Sequence, residues 1–94
     1  MADYKALYNG EKTLVVDCRG GPEVESGMLK KAMHIVHTDV AQTLTATDIP
    51  KDTPIMVYCR SGNRSGQAKQ ALEAIGYKNV TNAGGYDALR YLDE

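Results

Sequence analysis

The stretch Tyr58-Cys59-Arg60-Ser61-Gly62-Asn63-Arg64-Ser65-Gly66 decides the fold and the function that this sequence predicts. An apolar run over 54–58 leads into it, as expected of a strand, and a segment with helical spacing follows it. The apolar positions of that segment are Ala68, Ala71, Leu72 and Ile75. The predicted order is therefore strand, tight loop and helix, with Cys59 as the first residue of the loop.

The surroundings predicted for Cys59 favour an anion. Backbone N–H groups in such a loop can point at one centre, and the start of the following helix adds positive potential there. Arg60 and Arg64 add permanent positive charge. Because a thiolate is an anion, the pKa of Cys59 should lie well below the free-thiol value of about 8.5, and we predict an exposed nucleophile. The alternative is an inert core cysteine, since free cysteines are often buried.

The length, charge and composition of the chain exclude some classes of function. The chain has 94 residues and a net charge of −1, which fits one domain, 1–94, without the basic surface that nucleic acid requires. No apolar run approaches the ~20 residues of a membrane span, so no membrane association is expected. Residues 1–5 lack the apolar core of a signal peptide. A cytoplasmic location is therefore expected, or a periplasmic one if a signal peptide has been removed, and a monomer is expected.

The cysteines and histidines do not indicate a metal centre. Cys18 and Cys59 form no C-x-x-C motif and no disulfide framework. His34 and His37 have no further ligand beside them at the usual spacing. No metal and no cofactor are therefore expected.

Short apolar runs alternate with helical patterns along the chain, which predicts an α/β domain: a small parallel β-sheet flanked by helices on both faces. The predicted strands are 13–17, 33–36, 54–58 and 79–82. The predicted helices are 3–8, 22–26, one that begins at Asp39 after a Thr38 cap, 64–75 and 86–92. Ligands of such sheets bind at the carboxyl ends of the strands. Asp17, Arg19 and Cys59 should therefore face the same side.

Four motifs resemble those of the rhodanese family in its single-domain form, over about 8–92. They are Leu14-Val15-Val16-Asp17-Cys18-Arg19, the pair 25–29 and 32–35, the loop 57–65, and Gly84-Gly85-Tyr86 after Gly76-Tyr77. The chain is most similar to the small thiosulfate sulfurtransferases of bacteria. It departs from the usual family pattern at Met28, where a histidine is common, and at Leu89, where many members have tryptophan.

The resemblance implies a rhodanese-like fold and a sulfurtransferase that carries sulfane sulfur from thiosulfate to cyanide or a thiol as a Cys59 persulfide. The residues then predicted to bind the substrate are Arg60, Ser61, Gly62, Asn63, Arg64 and Ser65. Arg60 and Arg64 are expected to hold the sulfonate group. Ser61 and Ser65 either donate to the sulfur or only cap the helix. Asp17 and Arg19 are expected to form a structural pair near the site.

Three other functions are weighed against this one. A sulfur carrier would deliver its persulfide to a protein thiol, and an interaction module would keep the fold without the chemistry. A phosphatase or arsenate reductase on the same fold is disfavoured by the C-x4-R spacing of Cys59 and Arg64, because the phosphatase loop is one residue longer. Cys18 is predicted to fill the core, the alternative being a resolving thiol for Cys59.

Overall fold

A computed structural model describes residues 3–94 and contains one sheet of four parallel strands. The strands are β1 (Leu14–Asp17), β2 (Met33–His34), β3 (Ile55–Cys59) and β4 (Val80–Gly85). The helices are α1 (Tyr4–Tyr8), α2 (Gly21–Val24), α3 (Val40–Ala46), α4 (Asn63–Ala74) and α5 (Tyr86–Leu89), followed by a 3₁₀ turn at Arg90–Asp93. The sheet order is β2-β1-β3-β4, and every pairing is parallel. Within residues 3–94, none of the helices has the length and apolar character needed to cross a bilayer.

The central strand β3 separates two hydrophobic clusters, one on each face of the sheet. All five of its residues are buried, because successive side chains of a strand point to opposite faces and both faces are covered. Val57 and Cys59 pack with residues of α3 and α4, whereas Met56 and Tyr58 pack with residues of α1 and the C-terminal segment. The predicted α/β fold with helices on both faces is therefore confirmed.

Helix α4 buries fewer of its apolar residues than the spacing predicted. Ala68 and Leu72 are fully buried, but Ala71 is exposed and Ile75 is 41% exposed. Ile75 lies beyond the end of the helix at Ala74, and the chain turns at Gly76 with a φ of 104°. Tyr77, which follows the turn, is buried in the same cluster as Ala68 and Leu72.

Several predicted boundaries also differ from the structure. Strand β3 extends through Cys59, so this cysteine ends the strand rather than opening the loop. Strand β4 continues to Gly85, and the predicted helix 86–92 is divided into α5 and the 3₁₀ turn. Asp39, not Thr38, precedes the first residue of α3. The predicted strand 33–36 is shortened to β2, because His37 N–H donates to the Cys18 carbonyl and the chain leaves the ladder.

Candidate active site

The side chain of Cys59 lies at the carboxyl end of β3, on the face that α4 covers. Its exposed fraction is 0%, so the prediction of an exposed cysteine is wrong. The physical reason is the alternation of the strand: Cys59 points to the same face as Val57, into the cluster that includes Ala68 of α4. The sulfur of Cys59 therefore lies beneath the loop rather than on the surface.

Burial does not leave the sulfur without polar partners, because the loop donates hydrogen bonds to it. Gly62 N–H lies 3.0 Å from Sγ, Ser65 N–H lies 3.4 Å from it, and Ser65 Oγ lies 3.3 Å from it. Gly62 precedes the first residue of α4 and has a φ of 94°, which a residue with a side chain rarely adopts. This conformation turns the start of the helix, with its unpaired N–H groups, toward the sulfur.

These contacts lower the pKa of the thiol. Burial raises the pKa of Cys59, but the hydrogen bonds from the Ser65 hydroxyl and from the backbone N–H groups of Ser65, Ser61 and Gly62 together outweigh it. The resulting pKa is about 7. About half of the Cys59 side chains are then thiolate at neutral pH. The structure thus surrounds an ionisable sulfur with hydrogen-bond donors from the loop.

Arg64 does not point freely into the loop but pairs with Glu23 of α2. Its Nη1 and Nη2 donate to the two carboxylate oxygens of Glu23 at 2.7 and 2.9 Å. Both side chains are about one-third exposed, at 32% and 31%. The hydrogen bonds from Arg64 lower the pKa of Glu23 to about 2, so the carboxylate is charged at neutral pH. A sulfonate held by Arg64 must therefore share the guanidinium with Glu23.

Arg60, by contrast, is exposed at the rim of a surface cavity of about 230 Å³. The residues that line the cavity are Arg19, Glu23, Ser26, Arg60, Tyr86 and Asp87. Ser61 and Asn63 are also exposed, on the outer side of the loop. Of the predicted substrate-binding residues, Gly62 and Ser65 therefore lie against the sulfur and Arg64 pairs with Glu23. The others, Arg60, Ser61 and Asn63, are exposed to solvent.

Asp17 and Arg19 form a buried ion pair at the end of β1. Arg19 Nη2 donates to Asp17 Oδ2 at 2.7 Å, and Nε lies 3.0 Å from each carboxylate oxygen. The same guanidinium donates to the Gly27 carbonyl at 2.6 Å and lies 4.4 Å from the ring centre of Tyr86. The pair therefore joins β1 to the segment after α2 and to the start of α5, beside the cavity.

Cys18 belongs to the same buried cluster as Cys59 but has different electrostatics. Burial, together with the neighbouring Cys59 and Asp17, raises the pKa of Cys18 to about 12. Its thiol is protonated at neutral pH, which favours the core-filling role over the resolving role. Among residues 3–94, no group of three or more histidine, cysteine, aspartate or glutamate side chains is arranged to hold a metal ion.

Two contacts of the loop come from β4, and sequence reasoning missed both. Asn82 accepts a hydrogen bond from Ser65 Oγ and donates one to the Gly62 carbonyl. Gly85 lies so close to the backbone of Arg60 that a Cβ at this position would overlap the Arg60 carbonyl. The signal for Asn82 was its position at the end of a predicted strand, on the edge where ligands of parallel sheets bind.

Taken together, the parallel sheet and the hydrogen-bonded cysteine define a class of protein: an α/β domain that holds an ionisable sulfur at the end of a strand. The family model described as Rhodanese-like domain matches residues 1–90. The chain therefore belongs to the rhodanese family, and the predicted family is confirmed.

Two similar proteins and one solved structure indicate sulfur transfer as the general activity. A protein named sulfurtransferase from Allochromatium vinosum is 37% identical over 83 residues, which cover 84% of this chain and 72% of that protein. The thiosulfate sulfurtransferase PspE of Escherichia coli is 37% identical over 71 residues, which cover 74% and 67%. A solved structure described as rhodanese with anions from E. coli has a TM-score of 0.72 and 33% identity, covering 80% of this chain and 88% of that one. These relatives support sulfur transfer as the general activity of this chain.

Proposed function

We propose that this protein is a thiosulfate sulfurtransferase that carries sulfane sulfur on Cys59 and delivers it to cyanide or to a thiol. The observation that carries the proposal is the set of three donors within 3.4 Å of Cys59 Sγ, together with a pKa of about 7 for its thiol. A sulfur atom that is already ionised needs no general base.

In the first step, the Cys59 thiolate attacks the outer sulfur of thiosulfate. A bond forms between the two sulfur atoms, the bond from the outer sulfur to the sulfonate sulfur breaks, and sulfite leaves with the electron pair. The persulfide that remains carries the negative charge on its terminal sulfur. In the second step, cyanide attacks this terminal sulfur, thiocyanate forms, and the Cys59 thiolate is released with its electrons.

The N–H groups of Gly62 and Ser65 stabilise the negative sulfur in both steps, as an oxyanion hole stabilises a negative oxygen. Both N–H groups lie within 3.4 Å of Sγ before a donor binds. Because Cys59 is fully buried, thiosulfate reaches Sγ only when part of the surrounding structure moves aside.

The sulfonate of thiosulfate is best matched by Arg60. Its side chain is exposed beside the cavity, and a guanidinium donates paired hydrogen bonds to an oxyanion. Arg64 contributes to the same site as a partner shared with Glu23, whose carboxylate offsets its charge. This balance predicts that donor affinity depends more on Arg60 than on Arg64.

The direct test is incubation with thiosulfate followed by intact-mass measurement. We expect one added sulfur atom on the native protein and on Cys18→Ser, and none on Cys59→Ser. With cyanide added, thiocyanate should form with ping-pong kinetics. An unchanged mass of the native protein, or rapid turnover of a generic aryl phosphate, would contradict the proposal. If the Cys59 persulfide transfers its sulfur rapidly to protein thiols but hardly at all to cyanide, the protein is a sulfur carrier and cyanide is not its acceptor.

A further inference from the structure

Asn82, the third residue of β4, contacts the active-site loop with both ends of its side-chain amide. Its Oδ1 accepts hydrogen bonds from Ser65 Oγ at 2.7 Å and from Gly84 N–H at 3.1 Å. Its Nδ2 donates to the Gly62 carbonyl at 2.9 Å. In the sheet, Asn82 is the partner of Val57, two residues before Cys59.

Asn82 contacts Gly62 and Ser65, the two loop residues that have donors within 3.4 Å of Cys59 Sγ. Neither residue is next to Asn82 in the chain. We propose that Asn82 is a positioning residue for the chemistry of Cys59, because one amide from the neighbouring strand holds both of these residues. The assignment rests on the proposed function only in naming the reaction that the thiol performs.

The chemistry of the amide explains why this residue type is suited to the position. The contact with Ser65 needs an acceptor and the contact with the Gly62 carbonyl needs a donor, and an amide supplies both. The loop also leaves room for it, since a Cβ at Gly66 would lie 3.3 Å from Asn82 Nδ2. A carboxylate of the same size offers only acceptors and adds a negative charge close to the thiolate.

The Ser65 hydroxyl is the point at which Asn82 acts on the sulfur. This hydroxyl has a single proton, and it lies 2.7 Å from Asn82 Oδ1 and 3.3 Å from Cys59 Sγ. The neutral amide holds this proton less tightly than a charged acceptor would, so the hydroxyl turns it toward a negative sulfur more easily. A charged acceptor at position 82 would bind the proton more tightly and withdraw it from the thiolate.

The test is the pH dependence of Cys59 alkylation by iodoacetamide, with the modified peptide identified by mass spectrometry. For Asn82→Asp we expect the pKa of Cys59 to rise from about 7 to about 8 or higher. The alkylation rate at pH 7 then falls about fivefold or more, whereas the rate at pH 10 stays within about twofold. Because the added negative charge by itself also raises this pKa, Asn82→Ser, which adds no charge, is measured beside it, and a rise in the pKa of that variant as well is expected if the amide positions the donors.

The matched control is Asn79→Asp, which introduces the same charge just before β4. Asn79 is exposed, and its amide donates to the Asp52 carbonyl at 2.9 Å, outside the loop. Its alkylation profile should match that of the native protein. If Asn82→Asp does not fold, as judged by circular dichroism, the result for Asn82→Ser decides alone. Serine is too short to span both contacts, and a smaller rise in the pKa is expected.

A folded Asn82 variant with the native alkylation profile would overturn the assignment. Since alkylation involves no sulfur donor, this result is distinct from a failure of the proposed function. If the proposed function fails, the native protein gains no sulfur from thiosulfate, while the alkylation profile of Cys59 still depends on residue 82.

Discussion

Replacing Ser65 by alanine should make Cys59 a weaker acid, by an amount that the structure allows us to work out. Burial raises the pKa of Cys59, and among the contacts that lower it the Ser65 hydroxyl contributes most. A hydrogen bond to a charged group is worth about 1.5–3 kcal/mol. The lower end applies here, because the hydroxyl lies 3.3 Å from Sγ and is shared with Asn82. About 1.4 kcal/mol corresponds to a tenfold change in acidity, so the pKa should rise from about 7 to about 8.

The assay is again the rate of Cys59 alkylation as a function of pH, compared with the rate of persulfide formation from thiosulfate. For Ser65→Ala, both rates at pH 7 should fall about fivefold, and both should approach native values above pH 9. Thr45→Ala is the control, since Thr45 is exposed and its hydroxyl donates to the Ala41 carbonyl rather than to the sulfur. An alkylation profile of Ser65→Ala that coincides with the native one would refute the argument that the loop hydroxyl stabilises the thiolate.

Two further predictions follow from the charges around the site. The depressed pKa of Cys59 contributes stability that is fully present above the unfolded value of about 8.5 and is lost as the pH falls through about 7. The free energy of unfolding should therefore rise by about 2 kcal/mol more between pH 6 and pH 9 in the native protein than in Cys59→Ala, and parallel curves in urea titrations would exclude this effect. Glu23→Gln releases Arg64 from a charged partner, so the KM for thiosulfate should fall severalfold while stability drops by less than about 1 kcal/mol. An unchanged KM would show that Arg64 does not bind thiosulfate.

The strand, loop and helix around Cys59 could be predicted because their signals are local. An apolar run, a glycine that permits a positive φ, and helical spacing all lie within about twenty residues, and each acts through the backbone nearby. The same local signals carry the family motifs. This is why the fold class and the lowered pKa of the thiol follow from the sequence, and why errors in the elements are mostly shifts of a few residues at their ends.

What the sequence could not supply is the set of contacts between distant segments. The pairing of Arg64 with Glu23 and the contacts of Asn82 with the loop depend on how α2 and β4 are placed against α4. The burial of Cys59 depends on which face of the sheet α4 covers, and no residue near the cysteine encodes that. These long-range contacts decide which arginine is available to a donor and how the sulfur is reached.

The close approach of Gly85 to the Arg60 carbonyl has a consequence for reading related sequences. Because this contact joins two main chains, the shape of the loop depends on the lack of a side chain at a position twenty-five residues beyond Arg60. A homologue with alanine at this position could retain the cysteine and both arginines, and its active-site loop would still be deformed. Judging whether a relative is active therefore requires inspecting the last strand as well as the signature motif.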